Sequence, residues 1–165
     1  MVTNANGRVC NTAIAAKYAR RIEGAERDYV SQFDGKGLRK LEMENLNIVE
    51  IKSFVPAKDY ALSKRFYEAV GFEMASDFGD VAYFSQGSCA FLLQNFYEPE
   101  HGNNFMMHLL VEDAESWHQH LSKVGHEEFG SRLTELVEQP WGMRECCLYD
   151  PSGVLWRIGQ NMNTD

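Results

Sequence analysis

The sequence predicts an α+β fold: two βαβββ modules forming a curved mixed-sheet cup, plus an extra N-terminal amphipathic helix. Three observations predict it. The first is an internal repeat marked by matched acidic residues and glycines. The second is a series of short apolar runs bounded by turn residues, and the third is one helical apolar stripe confined to the first 45 residues.

Ile14, Tyr18, Ile22, Ala25, Tyr29 and Phe33 recur at spacings of four and three, tracing one face of a helix of about five turns. Asn11 or Thr12 can cap its start, and Gly35 and Gly37 can end it. Its apolar face needs a cover, on its own domain or on a partner subunit. Residues 1–45 are therefore expected to form an N-terminal helical extension, and residues 46–165 the main domain.

From Ile48 onward the repeat appears. Phe54-Val55-Pro56-Ala57-Lys58-Asp59 matches His108-Leu109-Leu110-Val111-Glu112-Asp113, each a strand-like run ending in an acidic residue. A helical stretch follows each, closing at Gly71 and Gly125, both twelve residues past the aspartate. Asp59 and Asp113 suit helix N-caps, and the glycines suit C′ positions with positive φ. Strands are expected at about 72–77, 80–86 and 89–96, then at 131–138, 143–149 and 154–160. Asp150-Pro151-Ser152-Gly153 is a turn between the last two, and Pro99 to Asn103 links the modules, which span about 48–98 and 104–160.

Composition excludes several function classes. A formal net charge of −8, with no basic aromatic stripe, speaks against a nucleic-acid partner. No run of eighteen apolar residues exists, so no membrane span is expected. The start Met1-Val2-Thr3-Asn4 lacks a basic stretch leading into an apolar one, and the expected location is the cytoplasm. Cys10, Cys89, Cys146 and Cys147 form no CxxC pair; reduced thiols are expected, with Cys89 and Cys146 as small buried hydrophobes rather than nucleophiles. His118 and His120, two apart on a helix, lack the spacing of metal ligands and read as surface or helix-packing residues, as do His101 and His126.

Phe54-Val55-Pro56 through Phe66-Tyr67-Glu68-Ala69-Val70-Gly71-Phe72 resembles the opening of the glyoxalase/bleomycin-resistance/extradiol-dioxygenase superfamily, the vicinal oxygen chelate proteins. Trp141-Gly142-Met143-Arg144 and Asp150-Pro151-Ser152-Gly153-Val154-Leu155-Trp156-Arg157 resemble its final hairpin. Together, in order and inside a repeat, these pieces are specific, and they cover about residues 48–160. The resemblance implies inner-face His and Glu ligands for a divalent metal. The matching positions hold Lys52, Gln94, Met106 (or His108, one pleat away) and Arg157. Lysine and arginine there would repel a cation, so neither a metal nor any other cofactor is expected.

Alternation from these positions puts Lys52, Phe54 and Pro56 on one inner face, with Leu92, Gln94 and Phe96 on the next. Met106, His108 and Leu110 follow, then Leu155 and Arg157. The expected ligand-binding set is Lys52, Phe54, Gln94, Phe96, Met106, His108, Trp141 and Arg157, with no catalytic residue. Trp141 reads equally as a pocket lid and as a loop anchor. The expectation is metal-independent sequestration of a small aromatic molecule, of the bleomycin-resistance (antibiotic-resistance) type, by a homodimer. The alternative is a metalloenzyme of the same superfamily, a lyase, isomerase or dioxygenase acting on a small oxygenated substrate. A pure interaction module, docking through the N-terminal helix, is a third class.

Overall fold

The acidic landmarks of the repeat cap helices, and the apolar runs around them pair into two mixed sheets, in a computed structural model that describes residues 2–3, 9–10 and 45–162. The chain divides into two compact units, Met1–Val49 and Glu50–Asp165. In the first, β1 (Val2–Thr3) pairs antiparallel with β2 (Val9–Cys10). The helix expected over Ile14 to Phe33 lies outside the described residues.

The second unit carries the repeat. Its first module runs β3 (Phe54–Pro56), α1 (Tyr60–Val70), β4 (Glu73–Asp77), β5 (Val81–Gln86) and β6 (Cys89–Gln94). The sheet order is β3-β6-β5-β4, with β3 parallel to β6 and the other pairs antiparallel. A short helix, α2 (Pro99–Gly102), occupies the linker. The second module runs β7 (Met106–Leu110), α3 (Ala114–Leu121), α4 (His126–Phe129), β8 (Arg132–Leu133), β9 (Val137–Gln139), β10 (Met143–Tyr149) and β11 (Leu155–Asn161). Its order is β7-β11-β10-β8, with β9 also on β10, and again the opening strand lies parallel to the last. Each module thus closes the same way, the long crossover through a helix returning the chain beside its first strand.

The Asp59 carboxylate accepts the Leu62 N–H at 2.9 Å, and the Asp113 carboxylate accepts the Ser116 N–H at 3.0 Å. Both helices start where the repeat places them. At the other end the two modules part. Gly71 ends α1 in the left-handed region at φ 110°, with its N–H bonded to Glu68 O. Replacing Gly71 with alanine forces a Cβ into that region, 3.4 Å from His120 Nε2; a loss of about 1–2 kcal/mol is expected in chemical unfolding. Gly125, by contrast, has φ −69° and opens α4. The Ser122 hydroxyl donates to His118 O at 2.8 Å, and the helix stops there. The left-handed glycine of this module is Gly130, at φ 65°.

A second departure follows β8. The strand expected over 131–138 is broken into β8 and β9, because the Thr134 hydroxyl accepts the Cys147 N–H at 2.9 Å in place of a backbone carbonyl. One residue is thereby left over on this side of the ladder, a bulge.

The core lies between the sheets. Tyr67 of α1 packs its ring 4.8 Å from Phe91 of β6 and 5.8 Å from Trp156 of β11, and Phe91 and Trp156 are themselves 5.2 Å apart. The Tyr67 hydroxyl donates to Asp150 Oδ2 at 2.7 Å and accepts the Trp156 indole N–H at 3.1 Å. Asp150 Oδ1 accepts the N–H groups of Ser152 and Val154, each at 2.8 Å. Burial pushes the Asp150 carboxyl up to about 6, outweighing these hydrogen bonds, and holds the Tyr67 hydroxyl well above its ordinary value. The two motifs that carry the family resemblance, one around Tyr67 and one around Asp150, meet here.

Candidate functional site

The core-facing residues fix the other faces of the sheets by alternation. In the first module Phe54 pairs with Leu92 and Leu92 with Tyr83, and Pro56 pairs with Gln94. These side chains lie opposite the face that carries Leu93 and Phe91. In the second module His108 pairs with Arg157 and Arg157 with Cys147, while Leu110 and Glu145 both oppose Gly159. These lie opposite Trp156 and Ile158. The inferred ligand set is therefore divided between two faces, each directed away from the shared core. Lys52, Phe54 and Gln94 belong to one, and Met106, His108 and Arg157 to the other. Phe96 lies two residues past the end of β6, outside the ladder, and is exposed.

On the first face the Lys52 ammonium forms an ion pair with Glu50 and lies 4.9 Å from the centre of the Tyr83 ring. Partial burial lowers its pKa. The Tyr83 hydroxyl donates to Glu50 at 3.3 Å. Lys52 thus has its countercharge within the chain, two residues away.

The second face is built on a buried carboxylate that the sequence reading did not single out. Glu145, in the middle of β10, is 3% exposed. Its Oε2 forms an ion pair with the Arg157 guanidinium. Its Oε1 lies 3.8 Å from His108 Nε2 and has no hydrogen-bond partner among the described residues. Room for it comes from Gly159 directly opposite, where a Cβ would stand 2.8 Å from Glu145 Cγ and 3.0 Å from Met143 Cε. A glycine in mid-strand costs about 0.5–1 kcal/mol relative to alanine, and here it opens a notch for the carboxylate. Trp141, 57% exposed, lies with its ring centre 5.1 Å from the Arg157 guanidinium, covering it. Met106, Leu110 and Val137 surround this group with exposed apolar surface, and an open depression of about 400 Å³ adjoins Leu110, lined also by Val111, Glu112, Gln160 and Asn161.

His118 Nε2 lies 3.1 Å from Thr134 O and His120 Nε2 3.0 Å from Val70 O, and both nitrogens of His126 are engaged, so these are packing histidines. Cys146 is buried, and burial pushes its thiol up to about 11; Cys89, expected to be buried as well, is exposed at the start of β6. Among the described residues no three His, Cys, Asp or Glu side chains stand close enough together to hold a metal ion. The residue facing His108 is Arg157, which offers no lone pair and already covers the nearest carboxylate. This donor set does not fit a divalent cation. Nor is any helix among the described residues long and apolar enough to cross a membrane.

Comparison with known proteins agrees with this architecture. No curated protein matches the chain in sequence. The structure resembles a bleomycin resistance determinant encoded on the transposon Tn5, at 24% identity and TM-score 0.60, over 68% of this chain and 97% of that one. It resembles equally a bleomycin-binding protein complexed with bleomycin, at 23% identity and TM-score 0.60, over 68% and 98%. An antibiotic-binding protein from Streptomyces sp. CB03234 aligns at 20% identity and TM-score 0.57, over 69% and 97%. Residues 47–158 match the sequence profile described as Glyoxalase/Bleomycin resistance protein/Dioxygenase superfamily, and the chain belongs to that superfamily.

Proposed function

We propose that the protein binds and sequesters a small aromatic molecule without a metal, at the face formed by β7, β11 and β10. The observation that carries this reading is the Arg157–Glu145 pair under Trp141. A neutralised, partly covered ion pair amid exposed Met106, Leu110 and Val137 makes an apolar face with a few oriented polar groups, the usual make-up of a ligand site. Fold relatives that bind bleomycin or another antibiotic support the class of function. Because the two inferred faces of one chain point away from their common core, closure of the cup calls for a second copy. Its Lys52–Phe54–Gln94 face would cover the first copy's His108–Arg157 face, so the functional form is a homodimer.

The test is a thermal-shift screen of flat aromatic compounds on protein purified without chelator, with elemental analysis alongside. A ligand present at about a hundred times its Kd adds about 2.7 kcal/mol, an upward shift of roughly 5–10 °C for a chain of this size. The shift should be equal with EDTA and with added Zn, Ni or Mn, and should shrink in Phe54→Ala. One bound metal per chain, lost on His108→Ala, would overturn the metal-free reading. Light scattering that found a stable monomer would overturn the dimer.

A further inference from the structure

We infer that His108 and Arg157, held by Glu145, recognise a neutral aromatic ligand through an acidic hydroxyl, a phenol or its equivalent. The inference rests on the binding face proposed above and names what that face selects. Glu145 acts as a positioning residue: one oxygen fixes the guanidinium, and the other stands beside His108 Nε2 at 3.8 Å. A carboxylate beside Nε2 favours the tautomer with the proton on Nε2, which leaves Nδ1 as an acceptor. His108 is 46% exposed and Arg157 is its direct cross-strand neighbour, so one ligand atom can reach an acceptor and a cationic donor together.

Charge balance selects the ligand class. Arg157 and Glu145 cancel, so the pair itself carries no net charge. A cationic ligand would leave this apolar face with one uncompensated positive charge, and an anionic ligand with one negative. A phenol avoids both. Its O–H bond breaks, the proton forms the new N–H bond at His108 Nδ1, and the phenolate oxygen keeps the electron pair. The imidazolium then completes the pair with Glu145 Oε1, which lacks a hydrogen-bond partner among the described residues, while Arg157 donates to the phenolate. Two positive and two negative groups result, with no net change. The notch at Gly159 is an independent sign that the strand is shaped to seat this carboxylate, since any side chain there would collide with it.

The probes are 7-hydroxycoumarin and its methyl ether, 7-methoxycoumarin, titrated by fluorescence into the full-length protein at a pH where the free phenol is mostly neutral. The hydroxyl compound should bind at least tenfold more tightly than the ether and should show the excitation band of the anion on binding. Glu145→Gln should reduce the preference to within about twofold and abolish the anion band. Should Glu145→Gln fail to fold, His108→Ala alters only a half-exposed side chain and should give the same loss. Equal affinity for the two coumarins in the wild type, or an undiminished preference in His108→Ala, would overturn the inference while leaving the binding face standing. Failure of both coumarins to bind would overturn the binding face along with it.

Discussion

Acidification from about pH 7 to about pH 4 should stabilise the protein against urea, and Asp150→Asn should remove most of that gain. The Asp150 carboxyl is raised from 3.8 to about 6 in the folded chain by burial. Its stabilising contribution is therefore fully present below the unfolded value and is lost as the pH rises through about 6. Between those limits the folded state holds a proton that the unfolded state has released. The rise from 3.8 to about 6 corresponds to a difference on the order of 3 kcal/mol across the window, about 1 kcal/mol of it recovered by pH 5. Asp113, held low by the Ser116 hydroxyl and N–H, works in the opposite sense. So does Asp77, where hydrogen bonds led by Lys64 overcome partial burial. The contribution of these two is lost only below the ordinary carboxylate range, so neither masks the Asp150 change above pH 4. Urea midpoints at intervals across it would check this, and a wild-type midpoint that fell on acidification would refute it.

Arg157→Leu should destabilise the fold by about 3–5 kcal/mol, because it leaves the Glu145 carboxylate buried without its partner. The loss is a property of the stranded charge rather than of the bond. The double variant Glu145→Leu/Arg157→Leu should accordingly recover most of the stability, and the coupling energy of the cycle should approach the single-variant cost. Guanidinium denaturation of the four proteins would measure it. Additive losses would mean that solvent reaches Glu145 more freely than its 3% exposure allows.

The repeat was legible because its signals are local. Asp59 and Asp113 each precede a helix and bond to a backbone N–H three residues on, so the residue type and its position suffice to place both helices. The end of α3 was not legible from Gly125, because a neighbouring serine intervened: the Ser122 hydroxyl met the His118 carbonyl and closed the helix first. The bulge at Thr134 depends likewise on one hydroxyl replacing a carbonyl across the sheet, which periodicity does not register. At the candidate site the face of His108 and Arg157 followed from alternation, and the structure makes them direct neighbours. Glu145 was missed, although the Asp150–Gly153 turn already implied it. Folding the hairpin about that turn sets Glu145 opposite Gly159, two places from the Cys147–Arg157 pair. Reading Lys52 and Arg157 only as groups that repel a metal and line a ligand site overlooked their countercharges, Glu50 and Glu145.

The Tyr67–Asp150 hydrogen bond joins residues 83 positions apart in sequence, one from each copy of the repeat. Repetition in a chain ordinarily allows each unit to form alone and then stack on its neighbour. That route is closed here, since the indole, phenol and carboxylate complete one another only after both halves have arrived. Separated, the first half would present Phe66, Phe84 and Phe91 to water, and the second would present Trp156 and Ile158. The repeat visible in the sequence therefore does not survive as two folding units. The chain has to search for a contact of long loop closure before either half gains its core, so its folding is slower and more cooperative than its modular appearance suggests.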